Sequence, residues 1–422
     1  MTWSGIKENT LLAMETLLAH KFRAALTILG VFIGVVVIVA VAAVLNGFRE
    51  TIVQNTESFG TRNVYLWRYP FIPTGRLPAS VLNRKPLSLD DAKAIEQEVP
   101  DAQYVSPALI YGFVRPGEIP PTPPVVRYRD KIMSRPRVIG GFPVGIVVLN
   151  RNISSGRYFT DTENEHRAYV CVIAANVVDA LFPAEDPVGK SINFLGHDFT
   201  VIGTLPKDKT GPFGGENPED NDVLIPYYTF QKMDPSFNDL FITVQMREGM
   251  MKEGLEQMEQ VLRRQRKVSL FQDNDFEFGT AEMFISTFDD ITKAVFGVTL
   301  VISSIAFMVG GVGVMNIMLV AVTERTREIG VRKAIGARRS DIIFQFLTEA
   351  VTLTCAGGLG GLAFAWALAA LVTAVVPSLT MKVPIIAAVL SFVGSVSVGV
   401  VFGMWPAIKA ARLDPIEALR HE

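Results

Sequence analysis

The chain has 422 residues, of which 49% are hydrophobic and 19% are charged, and its mean hydropathy is +0.30. This composition is too apolar for an ordinary soluble protein of this length, so part of the chain is expected to lie in lipid. The net charge of −2 gives no sign of nucleic-acid binding. The two cysteines, Cys171 and Cys355, define no disulfide framework.

Residues 1–23 are predicted to form a cytoplasmic amphipathic helix, because apolar residues recur at helical spacing between charged ones. The helix is expected either to lie along the inner membrane surface or to pack on the helical bundle. The charge-free run that follows, residues 24–47, is longer than a signal-peptide core and lacks a cleavage site, so we expect a retained anchor.

Three further charge-free runs, residues 294–323, 350–381 and 383–408, are each long enough for the ~20 helical residues that cross a hydrocarbon core. The predicted order is therefore one span, a long polar region at residues 48–293, and three more spans. A short external turn around Lys382 separates the last two spans.

Lysine and arginine predict the orientation, because positive residues resist translocation. They lie before the first span, in the segment 324–349 and in the tail 409–422, namely at Lys7, Lys21, Arg23, Arg325, Arg327, Arg332, Lys333, Arg338, Arg339, Lys409, Arg412 and Arg420. Both termini are thus expected in the cytoplasm and residues 48–293 outside it, in a protein of the cell (inner) membrane. Small-residue pairs within the spans predict close helix packing, at Gly30 and Gly34, Gly357 and Gly361, and Gly399 and Gly403.

The external region is predicted to be an α+β domain with a split ferredoxin-like lobe. A strand at 64–67, a helix capped by Ser88 and ending at Glu98, and a strand at 102–114 form one β-α-β unit. A second unit comprises a strand at 240–246, a helix at 250–266 and a strand at 276–278.

Between these units, residues 137–233 are predicted to form an inserted β-rich lobe. Its short β-prone runs are residues 137–149, 168–173, 191–195, 199–205 and 223–226. Residues 116–124 and 207–222, rich in turn-forming residues, are predicted to be mobile loops.

Enzyme chemistry finds little support in the sequence. It contains no G-x-x-x-x-G-K-[ST] phosphate loop, and its four histidines have no metal-ligand spacing. No charged residue lies in the middle of a span, which argues against an ion-coupled carrier. We therefore expect no cofactor in this chain and an energy source outside it.

The segment between the second and third spans interleaves charged residues with Ile329, Val331 and Ile335. A short helix here would have a charged and an apolar face, which suits docking in a partner's groove. The alternative is a positive-inside loop with no further role.

This segment closely resembles the coupling region of the MacB/FtsX-type ABC permease family, which has the pattern E-R-x-R-E-I-G-[IV]-R-[KR]-A-[IL]-G-A. The similarity extends to residues 21–23, residues 26–30 and Gly34 at the first span and, in the tail, to residues 406–407, 410–411, 414–415 and 417–420.

The resemblance implies a homodimer, or a dimer with a close homologue, on a dimer of ATP-binding subunits that bind ATP and Mg. Members of the family with a fused ATPase carry it before the first span; because only residues 1–23 precede the first span here, we expect a separate ATPase polypeptide. The family works by mechanotransmission, in which ATPase closure moves the external domains.

By resemblance, six charged residues would contact the ATPase, namely Glu324, Arg325, Arg327, Glu328, Arg332 and Lys333. Gly330 and Gly336 would permit backbone turns, and Arg325 and Arg327 could instead hold lipid phosphates.

The expected function is export or extrusion of an extracytoplasmic substrate, such as a drug, a peptide, a siderophore or a lipid-like molecule. A periplasmic adaptor and an outer-membrane channel are possible partners. Two alternatives remain open: extraction of lipoprotein or lipid from the membrane, and signalling without cargo to an external hydrolase or sensor.

Overall fold

A computed structural model describes residues 21–58, 61–71, 77–111, 124–207, 217–375 and 381–420. The predictions for residues 1–20, for most of the 116–124 and 207–222 loops, and for part of the last external turn lie outside these residues. The chain divides into two compact units, each described separately below. The membrane unit comprises Met1–Glu50 and Phe288–Glu422, and the external unit comprises Thr51–Thr287.

The secondary-structure elements are numbered in chain order. The helices are α1 (Lys21–Ser58), α2 (Ala79–Leu82), α3 (Leu89–Glu98), α4 (Gly145–Val148), α5 (Asp161–Glu165), α6 (Ala175–Leu181), α7 (Tyr227–Met233), α8 (Met251–Gln265), α9 (Ala281–Glu324), α10 (Thr326–Ala334), α11 (Arg339–Val375), α12 (Ile385–Arg412) and α13 (Pro415–Arg420), with a 3₁₀ turn at Pro218–Asn221. The strands are β1 (Asn63–Trp67), β2 (Ala102–Tyr111), β3 (Val125–Tyr128), β4 (Lys131–Ser134), β5 (Arg137–Gly141), β6 (Ser155–Gly156), β7 (Val170–Ile173), β8 (Ser191–Phe194), β9 (His197–Thr204), β10 (Asp222–Pro226), β11 (Phe241–Met246) and β12 (Glu277–Thr280).

Among the described residues, four helices, α1, α9, α11 and α12, are long and apolar enough to cross a membrane. Three of them begin before their predicted charge-free runs; α9, for example, begins at Ala281 and α11 at Arg339, whereas α12 begins at Ile385, two residues inside its run. The helical hydrogen-bond pattern continues past the apolar stretch, because charged residues are compatible with helix once the chain is outside lipid. Hydropathy therefore marks the part that lies in lipid and not the whole helix.

Glycines bring α1 against α9 and α11. A Cβ atom on Gly30 would lie 2.7 Å from the Cα of Gly310, so the two backbones are in direct contact. Gly34 faces the ring of Phe307 on α9, while Gly357 and Gly361 of α11 face main-chain oxygens of α1. Because lipid supplies no hydrophobic driving force between helices, this closeness provides the packing energy.

A second small-residue contact joins α11 to α12. Gly399 and Gly403 lie against Thr354 and Ala350 of α11, and Gly358 of α11 lies against Ser395. Helix α11 thus packs against two neighbouring helices, α1 and α12, through two adjacent rows of glycines. At the other end of the unit, Arg49 of α1 donates to Asp289 of α9 at 2.8 Å, and Lys382 donates to Glu50 at 2.7 Å.

The external unit is built on one continuous sheet in the order β12-β1-β11-β2-β5-β10-β7-β9-β8-β3-β4, with β6 paired to β9. Strands from both ends of the segment, β1, β2, β11 and β12, lie together and are covered by α3 and α8, which confirms the split lobe. Ser88 and Asp91 form the capping box that starts α3. Ile95, Met258 and Leu262 from the two helices are fully buried in the core.

The inserted lobe differs from prediction in two places. The run 137–149 is a strand only to Gly141, because Pro143 cannot donate to the sheet and the chain turns into α4. The β3–β4 hairpin, which precedes residue 137 and was not predicted, joins this lobe because β3 pairs with β8. Ion pairs stabilise the inserted lobe. Arg137 and Arg151 both bind the fully buried carboxylate of Asp222, at 2.8 Å and 2.7 Å.

Candidate functional site

The predicted coupling segment forms a short helix between two spans. The helix α9 ends at Glu324, Arg325 adopts a non-helical conformation with φ −102° and ψ 18°, and α10 follows. The hydroxyl of Thr326 donates to the main-chain oxygen of Val322 at 2.9 Å, which ties the new helix to the end of α9. The break lets α10 leave the axis of the span.

Gly336 ends α10 with φ +102°, in the left-handed region that favours glycine. Its N–H donates to the Lys333 carbonyl at 3.1 Å, and the N–H of Ala337 donates to the Arg332 carbonyl at 3.0 Å. These two bonds form a Schellman cap. Gly336 therefore lies at a backbone turn, as the family resemblance implies.

Gly330 has a different role from the one expected. It lies inside α10 and makes no turn. A Cβ atom at this position would lie 2.8 Å from the Cβ of Ala418, so the missing side chain lets α13 pack directly on α10. The expectation of a turn at Gly330 is wrong, because the position is constrained by helix packing and not by backbone conformation.

One face of α10 packs on the membrane helices. Ile329 is 1% exposed and belongs to an apolar cluster drawn from α9, α11 and α12. The other buried members of this cluster are Val314, Met318, Val322, Ile342, Phe346, Ala350, Leu353, Ala407, Ala410 and Ala411. This shared cluster packs α10 against three of the four spans.

Two arginines of the segment are directed toward α11. The Nη1 of Arg332 donates to the Oε1 of Gln345 at 2.6 Å. The Nη1 of Arg325 lies 3.6 Å from the Oε2 of Glu349, a carboxylate that is 8% exposed. Both contacts are internal to the chain, so these arginines hold α10 to the third span.

Lys333 is bonded to the end of α12. Its Nζ donates to the main-chain oxygens of Ala411 and Leu413, at 2.7 Å and 2.6 Å. A cation is favourable there because the last carbonyls of a helix lack intrahelical donors and carry partial negative charge. Burial and the nearby charge of Arg339 lower the pKa of Lys333.

The opposite side of the segment faces outward. Glu324, Arg327 and Glu328 are exposed, and Val331 and Ile335 are 45% and 81% exposed. The structure thus divides the eight residues expected in coupling into an outward group (Glu324, Arg327, Glu328), an inward group (Arg325, Gly330, Arg332, Lys333) and the cap Gly336.

Sequence reasoning missed three participants. Gln345 and Glu349 receive the inward arginines, and Ile416 of α13 is 78% exposed beside α10. Glu349 had a signal, because it lies directly before a charge-free run where an unpaired carboxylate would be costly. Gln345 and Ile416 had none.

Comparison with protein families covers both units. Residues 24–261 match the MacB-like periplasmic core domain, and residues 300–415 match the FtsX-like permease C-terminal domain. The chain belongs to the MacB/FtsX family of permeases. A MacB/FtsX-family chain is a membrane protein with a large extracytoplasmic domain, and residues of the external unit form that domain here.

Individual relatives include two export proteins. The chain is 32% identical over 414 residues to the macrolide export ATP-binding/permease protein MacB of Bdellovibrio bacteriovorus, covering 97% of this chain and 61% of that protein. It is 33% identical over 421 residues to the pyoverdine export ATP-binding/permease protein PvdT of Pseudomonas syringae, covering 97% and 59%. The chain therefore spans about 60% of the length of these curated relatives.

Among solved structures, the periplasmic region of MacB from Actinobacillus actinomycetemcomitans is similar at 17% identity with a TM-score of 0.44. The match covers 56% of this MacB/FtsX-family chain and 97% of that one.

Proposed function

We propose that this chain is the permease subunit of an ABC transporter that exports a substrate from the extracytoplasmic side. A separate ATP-binding subunit, which binds ATP and Mg, docks on α10 and supplies the energy. The observation that carries the proposal is the outward face of α10, where exposed Val331 and Ile335 lie among exposed charges.

This face has the composition of a helix that inserts in a groove. Val331 and Ile335 are four residues apart, so they lie on one side of the helix. Apolar anchors that are fully desolvated in a complex contribute most of the binding energy, and flanking charges such as Arg327 and Glu328 add specificity. The relatives' names, which combine ATP binding with permease and export, support this partner.

The inward face of α10 supports mechanotransmission. Ile329, the arginine contacts to α11 and the Lys333 contacts to α12 join α10 to three of the four spans. Movement of α10 by the ATP-binding subunit would therefore displace these spans together. A homodimer would place two such helices on two ATP-binding subunits, as the symmetry of an oligomer requires.

Affinity purification of the chain from native membranes in mild detergent tests the proposal. Wild type should retain an ATP-binding protein with a phosphate loop, and Arg327→Glu and Ile335→Asp should each reduce its recovery at least ~10-fold, which corresponds to about 1.4 kcal/mol. Ile132→Asp, at a position 54% exposed in the external unit, is the matched control.

Two results would overturn the proposal. One is the absence of any ATP-binding protein in the wild-type sample, and the other is equal recovery with all three variants. In either case α10 would serve only to fix the orientation of the spans.

A further inference from the structure

Helix α9 carries an apolar stripe that the described part of the chain leaves uncovered. Its residues follow one another at alternating intervals of four and three, and each is between 40% and 65% exposed, namely Ile291, Val295, Val298, Ile302, Ile305, Val309 and Val312. Asn316 is also exposed and continues the same spacing. We call these eight residues the α9 seam.

The opposite side of α9 is already occupied. Gly310 lies against α1, and Gly311 lies against the ring of Phe402 on α12. Because residues four and three apart lie on one side of a helix, the α9 seam is a continuous surface directed away from both neighbours. A repeat of seven residues, or 3.5 residues per turn, is the period at which two helices keep one side in contact over many turns.

Contact with lipid does not account for the outer end of the seam. Ile291 precedes the charge-free run 294–323 and is 48% exposed. In sequence it lies between Asp290 and Lys293, whose paired side chains are 75% and 76% exposed. An apolar side chain at the level of these charges meets water or lipid head groups, and packing against another protein helix would remove it from them.

The inner end of the seam carries a carboxamide. Asn316 lies eight residues before Glu324, about 12 Å along the helix and within the charge-free run. Its side chain has no hydrogen-bond partner among the described residues, whereas the amide of Asn46 donates to the Lys382 carbonyl. An unpaired amide in an apolar surface is costly, and Asn side chains hydrogen-bond to one another across paired membrane helices.

A second copy of the chain is the occupant that fits both ends of the seam. Copies inserted in the same orientation have parallel α9 helices, and a twofold axis along the membrane normal brings equal positions of the two seams together. An amide is both donor and acceptor, so two Asn316 side chains can bond to each other. A single Asn in an apolar heptad pattern also fixes the register of two paired helices.

We propose that two copies of the chain associate through their α9 seams, with paired Asn316 side chains setting the register. The inference rests on the proposed function, in which two copies act on two ATP-binding subunits, and it assigns the surface through which the copies meet. Because α9 ends one residue before α10 begins, pairing of the seams would also set the separation of the two docking helices.

Disulfide formation in native membranes tests the seam. Ile302→Cys and Val309→Cys place a thiol on the seam, and Leu300→Cys places one at a similar depth on the other side of α9, where Leu300 is 43% exposed. Each variant is oxidised with copper phenanthroline and analysed for covalent dimers without reductant. Wild type, with Cys171 buried and Cys355 half-buried, gives the background. Dimers above background are expected from positions 302 and 309 and not from position 300.

The outcomes separate this inference from the proposed function, which is measured by recovery of the ATP-binding protein from the same membranes without oxidation. If that protein is recovered while positions 302 and 309 give no more dimer than position 300, the seam is wrong and the proposed function stands. If no ATP-binding protein is recovered from wild type, the proposed function fails. Dimers from positions 302 and 309 would then still support the seam.

The role of Asn316 has a test of its own. In the Val309→Cys chain, Asn316→Leu removes the mutual hydrogen bond, so the yield of disulfide should fall ~3-fold, the typical effect of one interhelical hydrogen bond in a membrane. Asn316→Gln keeps an amide and should retain most of the yield. Yields are compared at equal amounts of membrane-inserted protein, so that a folding defect is seen separately. An unchanged yield with Asn316→Leu would overturn the pairing of Asn316.

Discussion

The ammonium group of Lys333 lies where two distant segments of the chain meet, because it is the donor for the Ala411 and Leu413 carbonyls. Lys333→Met keeps most of the side-chain volume and removes the donor, which leaves those carbonyls short of a partner at a cost of ~1–3 kcal/mol. We expect the ATP-binding subunit to remain bound, since Arg327 and Ile335 are unchanged. We expect its hydrolysis to lose the stimulation that the permease provides.

The measurement is the ATPase rate of the purified complex with each variant, relative to the ATP-binding subunit alone. Lys333→Arg keeps a donor and should retain most of the stimulation. Undiminished stimulation with Lys333→Met would show that the contact between Lys333 and α12 is not needed to couple the permease to ATP hydrolysis.

Glu163 in the external unit predicts a pH dependence. It accepts from both terminal nitrogens of Arg157 at 2.7 Å and from the Thr160 N–H at 2.9 Å. These bonds, Arg157 first, lower the pKa of Glu163 from 4.5 to about 2. Because the pKa of Glu163 is lower in the folded state than in the unfolded chain, the ionised carboxylate stabilises the fold at pH values above about 4.5. This stabilisation is lost as the pH falls from about 4.5 toward 2.

Glu163→Gln should therefore destabilise the chain by ~1 kcal/mol at pH 7, and the difference from wild type should shrink as the pH falls below about 4.5. Thermal unfolding in detergent across this range is the measurement. Glu165→Gln, at an exposed position of the same helix, is the control. A difference that is independent of pH would contradict the assignment of the effect to the Glu163 charge.

Residue roles were only partly predictable. The motif identified the eight residues that are expected to act in coupling, but the sequence could not divide them into inward and outward groups. That division depends on the C-terminal carbonyls of α12 and on Gln345 and Glu349 of α11, which approach only when the spans pack. The Arg332→Glu change that the motif alone would select breaks an internal contact and so tests rigidity, whereas Arg327→Glu tests docking.

At the scale of elements, the contact between α1 and α9 depends on two glycines. Gly30→Leu would place a side chain where the Gly310 backbone lies, so the helices must separate. Overpacking of this kind costs ~1–3 kcal/mol. The midpoint of thermal unfolding in detergent should fall for Gly30→Leu and change little for Gly297→Leu, because Gly297 has no atom within 4 Å of its Cβ position. If both variants lowered the unfolding midpoint equally, the insertion of a leucine, and not the loss of the α1–α9 contact, would be the cause.

Elements with strong local signals were predicted well. The apolar runs identified the four long helices, and the Ser88 capping box identified α3. The β3–β4 hairpin and α4 were missed, since short apolar runs are compatible with either strand or helix until their partners are known. The pairing of β3 with β8 joins residues far apart in sequence, and no local pattern encodes it.

At the scale of the whole molecule, the four candidate spans in the described part of the chain predict that the segment before the first span and the segment after the last lie on the same side of the membrane. The distribution of lysine and arginine predicts that this side is the cytoplasm, together with α10 and α13. The external unit then lies on the opposite side. Docking of a cytoplasmic ATP-binding subunit on α10 is possible only in this orientation, so topology is the first condition that the proposed function must meet.

Cysteine labelling of right-side-out membrane vesicles with an impermeant thiol reagent measures this orientation. Ile132→Cys, 54% exposed in the external unit, should be labelled in intact vesicles. Ile335→Cys, at the residue that follows α10 and is 81% exposed, should be labelled only after the vesicles are permeabilised. Wild type reports any signal from Cys171 and Cys355. The reverse pattern would place α10 outside the cell, where no ATP-binding subunit could reach it, and the transport mechanism proposed for this chain would fail.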